Sequence, residues 1–341
     1  MDDWLFLHDL WARCTRRSGT SGAAAPSRGN GETKALYARG ICLDDALQFL
    51  FQEQPSLDAF TSWVTARTRP QAAPIAHEDV LSAADVRHFN EHGYLLLRGA
   101  VPLEQCAAAR AAIWDFLGAS PGQPASWYLP HPGKSGLMLQ FSDHPALEEN
   151  RHSAHIRHAY RQPYDTSAGA GASIYASIDK VSFNPPETPQ HGFLGSALHW
   201  DVSLQQPIPF KLQGMLYLSD CPAQHGAFHC VPGFQHRIAG WLRELPPGAA
   251  PREWAVGNLR PVAVEGMAGD FIIWHQTLPH CATPNRGPSP RMVQYLTYLP
   301  TTGPTKTNGS EPVIPACRRS SRSAGGALPA PLASPSRRNT S

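Results

Sequence analysis

The chain has 341 residues, 42% of them hydrophobic, and a formal net charge of +2 at pH 7. This length and apolar content are enough for a large buried core, and the near-neutral charge does not indicate a nucleic acid or an acidic surface as the partner. No apolar run reaches the roughly 18 residues that a transmembrane helix needs, so we expect a soluble chain without a membrane span.

Cysteine usage and the N-terminal composition bear on the cellular compartment. The seven cysteines include no Cys-x-x-Cys pair, and an odd number without such a pair fits neither a disulfide framework nor a structural zinc site. We therefore predict a reducing, intracellular location, with the cytoplasm favoured. Organelle targeting stays open, because residues 15–30 are rich in Arg, Ser, Gly and Ala and contain no acidic residue.

Two N-terminal segments precede the main domain. Residues 1–33 are predicted to form a disordered leader. Residues 34–78 are predicted to form a helical extension that packs on the main domain, because Leu43–Thr65 carries apolar residues at helical spacing before a proline-rich break.

The main domain is predicted over residues 79–300, and its first part combines helices with a strand. The expected elements are helix 79–92, strand 94–97 and helix 103–117. Acidic residues at the start of the first helix would complement its dipole, so His77-Glu78-Asp79 is interpreted as a helix start and not as a metal-binding triplet. Residues 133–164 are predicted to be rich in loops.

Short strands separated by turn-forming residues follow. The predicted strands are 173–183, 211–218, 227–231, 261–264, 270–274 and 291–299. This pattern indicates a mainly β fold with flanking helices, whose core is a double-stranded β-helix, the cupin-like jelly roll.

The C-terminal residues 301–341 are predicted to form a disordered basic tail. They contain six Lys or Arg, one Glu and no aromatic residue, so they have little apolar area to offset the entropy lost on ordering. A nucleic-acid-binding arm is disfavoured, because such segments combine basic residues with aromatic side chains that stack on bases. A small-molecule substrate is the partner that we predict.

The candidate functional residues are the triplet His199-Trp200-Asp201 and, further along the chain, His280 and Arg291. On an extended backbone, residues two apart share a face, so His199 and Asp201 can bind one metal ion while Trp200 packs on the other side. Two imidazoles and one carboxylate match the facial triad of non-haem Fe(II) oxygenases, which leaves coordination positions open for a co-substrate and dioxygen.

Two residues compete for places in this set. His275 ends a predicted strand and competes with His280, which we favour for its spacing to Arg291. Arg286 competes with Arg291, but it lies in a Gly/Pro-rich turn, where a solvated role is favoured.

Four stretches resemble the phytanoyl-CoA dioxygenase family of Fe(II)/2-oxoglutarate oxygenases, over roughly residues 80–299. They are residues 89–99 (FNEHGYLLLRG), 198–201 (LHWD), 226–233 (GAFHCVPG) and 269–291, which opens with GDFIIW. By this resemblance, His199, Asp201 and His280 would be the iron ligands, and Arg291 would bind the distal carboxylate of 2-oxoglutarate. A guanidinium suits that role because its planar fork matches a carboxylate and stays charged at working pH.

The chain departs from the family pattern at one position. Relatives often carry Ser or Thr two residues after the distal histidine, where this chain has Ala282. Thr283 is the candidate for the missing hydroxyl in co-substrate binding. Gln213, on predicted strand 211–218, is a candidate contact of the co-substrate or the substrate.

The resemblance implies a dioxygenase that uses Fe(II), 2-oxoglutarate and dioxygen. It would hydroxylate an aliphatic carbon of a small-molecule or lipid-like substrate and release succinate and carbon dioxide. Halogenases of this superfamily have a small residue in place of the carboxylate, so Asp201 favours hydroxylation. The alternative is a non-catalytic or zinc-bound jelly-roll binding protein, for which a closed structural site would not need Arg291.

Overall fold

The computed structural model describes residues 3–15, 31–69, 78–168 and 174–300. Within these ranges the α-helices are α1 (Asp3–Thr15), α2 (Gly31–Tyr37), α3 (Leu43–Glu53), α4 (Leu57–Arg67), α5 (Ala83–His92), α6 (Leu103–Leu117), α7 (Pro145–Arg151), α8 (Ala154–Ala168), α9 (Ile238–Arg243) and α10 (Pro251–Asn258). The strands are β1 (Tyr94–Leu97), β2 (Lys134–Ser135), β3 (Met138–Leu139), β4 (Ile174–Asn184), β5 (Leu212–Tyr217), β6 (Phe228–Cys230), β7 (Val262–Val264), β8 (Phe271–His275), β9 (His280–Cys281) and β10 (Arg291–Pro300). The predictions for residues 16–30 and for the tail at 301–341 lie outside the described residues.

The strands form two antiparallel sheets. The large sheet has seven strands in the order β1-β8-β5-β10-β4-β3-β2, and the small sheet has three strands in the order β7-β6-β9. Buried side chains of both sheets share one apolar cluster, so the sheets face each other as in a jelly roll. The prediction of a mainly β core with flanking helices is confirmed.

Alternating side chains give the large sheet two apolar faces. On β5 and β8, Leu216 and Phe271 pack towards α5, α6 and α8, whereas Met215 and Ile272 pack towards the small sheet. Side chains alternate between faces along a strand, so a strand that is buried on both sides must be apolar throughout. The space between the two sheets is where the predicted site residues lie.

The prediction of a disordered leader is wrong for residues 3–15, which form α1, and for residues 31–33, which begin α2. Leu7 and Leu10 are buried in an apolar cluster shared by α1, α2, α3 and α4, which also contains Leu36, Leu50 and Phe60. The three-residue spacing of Leu7 and Leu10 places both on one helical face, and burial of that face stabilises a helix that is short for independent folding.

The first helix of the main domain begins at Ala83, so its predicted start at Asp79 is wrong. Ser82 is the N-cap, and its hydroxyl accepts a hydrogen bond from the Asp85 amide at 3.1 Å. The Asp85 carboxylate accepts one from the Ser82 amide at 2.9 Å. This capping box satisfies amides that the first turn leaves unpaired, and it places Asp79 before the helix.

Residues 133–164 contain more regular structure than predicted. They include the β2-β3 hairpin, helix α7 and most of helix α8, whose buried residues include Ile156, Ala159 and Tyr160. The internal Pro163 and the many basic residues of α8 hide its apolar face in the sequence. The two-residue strands are too short to show any periodicity.

The N-terminal helices contact the main domain through side chains at the edge of the large sheet. The rings of Tyr37 and Tyr175 lie 6.3 Å apart, and the Ser142 hydroxyl donates to Asp45 at 2.9 Å. Asp44 at the start of α3 forms an ion pair with Lys180 of β4. Among the described residues, no helix combines the length and apolar character needed to cross a membrane.

Candidate metal centre

His199, Asp201 and His280 meet in the space between the sheets. The main chains of the two histidines are bridged, with His199 N donating to His280 O at 3.0 Å and His280 N donating to His199 O at 2.9 Å. One ligand atom from each of the three side chains lies within 4.8 Å of the others. The residues that we predicted from widely separated stretches are therefore close enough to share one ion.

Each imidazole is oriented by a main-chain carbonyl. His199 Nδ1 lies 2.8 Å from Ala197 O, and His280 Nδ1 lies 3.0 Å from Leu278 O. A carbonyl only accepts hydrogen bonds, so Nδ1 carries the proton in both rings and Nε2 is left for a ligand. This is the arrangement that metal-binding histidines usually show.

Both Nε2 atoms face the carboxylate of Asp201. His280 Nε2 lies 3.1 Å from Oδ2, and His199 Nε2 lies 3.5 Å from Oδ1. A lone pair and a carboxylate oxygen are both acceptors, so they approach this closely only when a proton or a metal ion lies between them. Hydrogen bonding with His199 and His280 holds the pKa of the Asp201 carboxyl well below its usual range, and Asp201 in turn raises the pKa of His199.

Gln213 orients the carboxylate from the neighbouring strand. Its Nε2 donates to Asp201 Oδ2 at 2.8 Å, and its Oε1 accepts from Trp274 Nε1 at 3.0 Å. The tryptophan fixes which end of the amide faces Asp201. The sequence could not decide which face of strand β5 looks inward, and the structure places Gln213 against Asp201.

Arg252 was missed by the sequence analysis. It lies in α10, and its Nη1 and Nη2 donate to the carbonyl oxygens of Trp200 and Val202, the second at 2.8 Å. These two residues flank Asp201, so one guanidinium holds the main chain on both sides of the carboxylate. Trp200 itself is buried, and its Nε1 donates to Thr277 O at 2.7 Å. A side chain that donates to a carbonyl 50 residues away in the sequence cannot be recognised from a local sequence pattern.

Arg291 is buried, and no described acidic side chain forms an ion pair with it. It is 2% exposed, its Nη2 lies 3.2 Å from Met215 Sδ, and its guanidinium carbon lies 6.0 Å from the centre of the Tyr217 ring. In the part of the chain that the structure describes, its Nε and Nη1 have no hydrogen-bond partner. A buried cation left in this state is costly, so the position is suited to an anionic ligand.

Arg291 and the three grouped side chains open into one cavity of about 540 Å³. Its lining includes Gln213 and Ala282, but Thr283 is not among the lining residues. Thr283 instead accepts a hydrogen bond from Asn184 Nδ2 at its main-chain oxygen, at 3.2 Å. The hydroxyl expected near the co-substrate therefore does not come from the neighbour of Ala282 in this structure.

The competing residues lie elsewhere. His275 points to Thr277, with its Nδ1 2.6 Å from the hydroxyl, and burial lowers the pKa of its imidazole to about 4. Arg286 is exposed. Neither belongs to the group formed by His199, Asp201 and His280. The donor set of that group, two imidazoles and one carboxylate beside an unpaired buried arginine, is of the kind that binds Fe(II) and a dicarboxylate together.

Comparison with known proteins finds the same family that the four stretches of the sequence resemble. The family model of phytanoyl-CoA dioxygenase (PhyH) matches residues 89–293. A curated relative from Dictyostelium discoideum, named "Putative phytanoyl-CoA dioxygenase", is 25% identical over 97 residues, which are 27% of this chain and 28% of the relative. The aligned part thus spans little more than a quarter of that relative.

The chain is also similar to parts of several solved structures. The non-haem α-ketoglutarate-dependent carbocyclase SnoK from nogalamycin biosynthesis is 20% identical, with a TM-score of 0.46, over 71% of this chain and 96% of that chain. HygX from Streptomyces hygroscopicus, with nickel and 2-oxoglutarate bound, is 13% identical, with a TM-score of 0.45, over 65% of this chain and 88% of that chain.

Proposed function

The chain belongs to the phytanoyl-CoA dioxygenase family, and on that premise we propose that it is an Fe(II)/2-oxoglutarate-dependent dioxygenase. The observation that carries the proposal is the pairing of two features in one cavity. One is the group of His199, Asp201 and His280, and the other is the buried Arg291, whose Nε and Nη1 have no hydrogen-bond partner among the described residues.

His199, Asp201 and His280 would hold the iron, and Arg291 would hold the distal carboxylate of 2-oxoglutarate. When bound, iron and 2-oxoglutarate supply an oxidant from dioxygen, with succinate and carbon dioxide as by-products. The protein's own part is to hold each imidazole by its Nδ1 proton, so that each Nε2 would face the metal, and to keep Asp201 ionised and oriented by Gln213. Three protein ligands held in this way would leave coordination positions available for the reactants.

The reaction that we propose is hydroxylation of an aliphatic carbon in a small-molecule or lipid-like substrate. A carboxylate at Asp201 supports hydroxylation, because Asp201 would be a protein ligand of the iron where halogenases have a small residue and bind a halide. The cavity also has an apolar wall formed by Leu137, Met138 and Leu194, which suits a substrate with hydrocarbon character.

The alternative function, a zinc-bound or non-catalytic binding protein, explains fewer features of the cavity. A structural zinc site closes its tetrahedron with a fourth protein ligand, whereas the group found among the described residues has three members. Such a protein would also have no use for the unpaired charge of Arg291.

The test is the conversion of 2-oxoglutarate to succinate by the Fe(II)-loaded protein in air, in the presence of a panel of aliphatic acids, esters and alcohols. We expect Fe(II)-dependent succinate that is abolished in His199→Ala and retained in His275→Ala, the matched histidine outside the group. Hydrolysis of a panel member by the zinc-loaded protein, without succinate from the iron-loaded one, would overturn the proposal.

A further inference from the structure

The cavity lacks a hydroxyl at the position where relatives often carry one. Ala282 lines the cavity, and Thr283 is not among the lining residues. If Arg291 were the sole contact of the distal carboxylate, part of that carboxylate would lose its hydration without a replacement, which weakens binding.

A different residue offers an unused hydroxyl in the same cavity. Ser182 of β4 lines the cavity and is 1% exposed. Its Oγ has no hydrogen-bond partner among the described residues. Buried hydroxyls nearly always form hydrogen bonds, because a buried hydroxyl without a partner loses its hydration without compensation. The Ser182 hydroxyl is therefore suited to bind a ligand.

Strand register places Ser182 close to Arg291. On β4 and β10, Asn184 is opposite Arg291 and Ser182 is opposite Val293. Ser182 and Arg291 are therefore diagonal neighbours on the face of the sheet that lines the cavity. Diagonal neighbours have Cβ atoms roughly 7–8 Å apart or slightly less, which leaves room for one carboxylate between a long guanidinium and a short hydroxyl.

We propose that Ser182 donates its hydroxyl hydrogen bond to the distal carboxylate of 2-oxoglutarate, beside Arg291. It would supply from β4 the contact that relatives supply two residues after the distal histidine. The inference rests on the proposed function, since it concerns the same co-substrate. It explains why Ala282 is compatible with a working site and why the hydroxyl of Ser182 is buried in the cavity lining.

The experiment measures equilibrium binding of two 2-oxo acids by calorimetry. The protein is loaded anaerobically with Ni(II), a divalent ion that accepts imidazole and carboxylate ligands. One ligand is 2-oxoglutarate, and the other is 2-oxobutanoate, which has the same chelating end and no distal carboxylate. We expect Ser182→Ala to weaken 2-oxoglutarate binding by about 10-fold or more, as for loss of a hydrogen bond to a charged group, and to leave 2-oxobutanoate binding unchanged.

Two further variants separate a direct contact from a packing effect. Ser196→Ala removes an exposed hydroxyl from the same cavity lining and should leave both affinities unchanged. Ala282→Ser in the Ser182→Ala background returns a hydroxyl from the position used by relatives and should recover most of the lost affinity.

The failure of this inference differs from the failure of the proposed function. If the unsubstituted protein binds 2-oxoglutarate and Ser182→Ala binds it equally well, Ser182 is not a contact. If Ser182→Ala weakens the binding of both ligands equally, Ser182 has a packing role, and this result would also overturn the inference. If the unsubstituted protein loaded with metal binds no 2-oxoglutarate, both proposals fail together.

Discussion

The cavity between the sheets and the layer of helices α1–α4 are held together in different ways. The cavity is built from polar groups that are incompletely paired, such as the buried nitrogens of Arg291 and the hydroxyl of Ser182. The helical layer is built from a fully apolar cluster and from partly exposed ion pairs, such as Lys180 with Asp44. The first arrangement is completed by a ligand, whereas the second is complete within the protein.

This contrast separates residues that stabilise the fold from residues that serve binding. Burial of an apolar side chain such as Leu7 stabilises the folded protein whether or not a ligand is bound. Burial of Arg291 without a counter-charge destabilises the ligand-free protein, and only a bound anion compensates for it. Substitutions in the two regions should therefore move stability and ligand affinity in opposite ways.

The largest effect is expected at Arg291. Arg291→Met should weaken 2-oxoglutarate binding by about 2 kcal/mol or more, because a buried charge-assisted contact is lost. The free energy of unfolding of the ligand-free protein should stay the same or rise, since methionine fills similar space without a buried charge. Calorimetry and urea unfolding measure the two quantities, and Arg286→Met, at an exposed position, is the matched control. A clear loss of ligand-free stability would show that Arg291 is a structural residue.

The helical layer should behave in the reverse manner. Leu7→Ala is expected to lower the free energy of unfolding by about 2–5 kcal/mol, because Leu7 is fully buried and its removal leaves a cavity. Binding of 2-oxoglutarate to the folded protein should not change. A parallel loss of affinity would mean that α1–α4 shape the cavity, and the contrast between the regions would be lost.

Arg252 stabilises the short segment around Asp201 through two main-chain hydrogen bonds and is not part of an apolar core. Arg252→Met should lower metal affinity by about 10–100-fold, as changes in the partners of metal ligands commonly do. Arg260→Met is the control, since the acceptors that Arg260 has among the described residues are nearby carbonyls, those of Gly257 and Leu259, each at 3.2 Å. Competition with a chelating dye measures the affinity. An unchanged affinity would mean that Gln213 and the packing of Trp200 hold Asp201 in place without Arg252.

The smallest effect is expected at the ion pair between the layer and the large sheet. The side chains of Asp44 and Lys180 are 44% and 39% exposed, so Asp44→Asn should change the free energy of unfolding by less than about 1 kcal/mol. Asp58→Asn is the matched control, because Asp58 occupies the same second position of its helix, α4. Lys180 also lines the cavity. A change in 2-oxoglutarate affinity without a change in the free energy of unfolding would therefore show that this ion pair affects ligand binding.

Local patterns in the sequence predicted much of the fold and of the candidate site. The strands of the core alternate or run apolar over several residues, and the His-x-Asp spacing places two side chains on one face. Helix α1 was missed because its apolar face is short, and α8 because basic residues and Pro163 interrupt its pattern.

Contacts between distant strands and helices could not be predicted in this way. Ser182 is next to Arg291 only through the register of β4 against β10, and a one-residue shift would turn it to the other face. Arg252 reaches Trp200 and Val202 only because α10 folds back onto that segment. The geometry that orients the site is thus tertiary, although most of the proposed ligands were visible in the sequence.

We propose that His199, Asp201, His280 and Arg291 form one site for iron and 2-oxoglutarate. The most direct measurement is the visible charge-transfer band of the anaerobic Fe(II) protein on addition of 2-oxoglutarate. We expect a band in the unsubstituted protein and in His275→Ala, and none in His280→Ala or, at stoichiometric co-substrate, in Arg291→Met. Bound iron without a band in the unsubstituted protein, or a band that survives His280→Ala, would contradict this account.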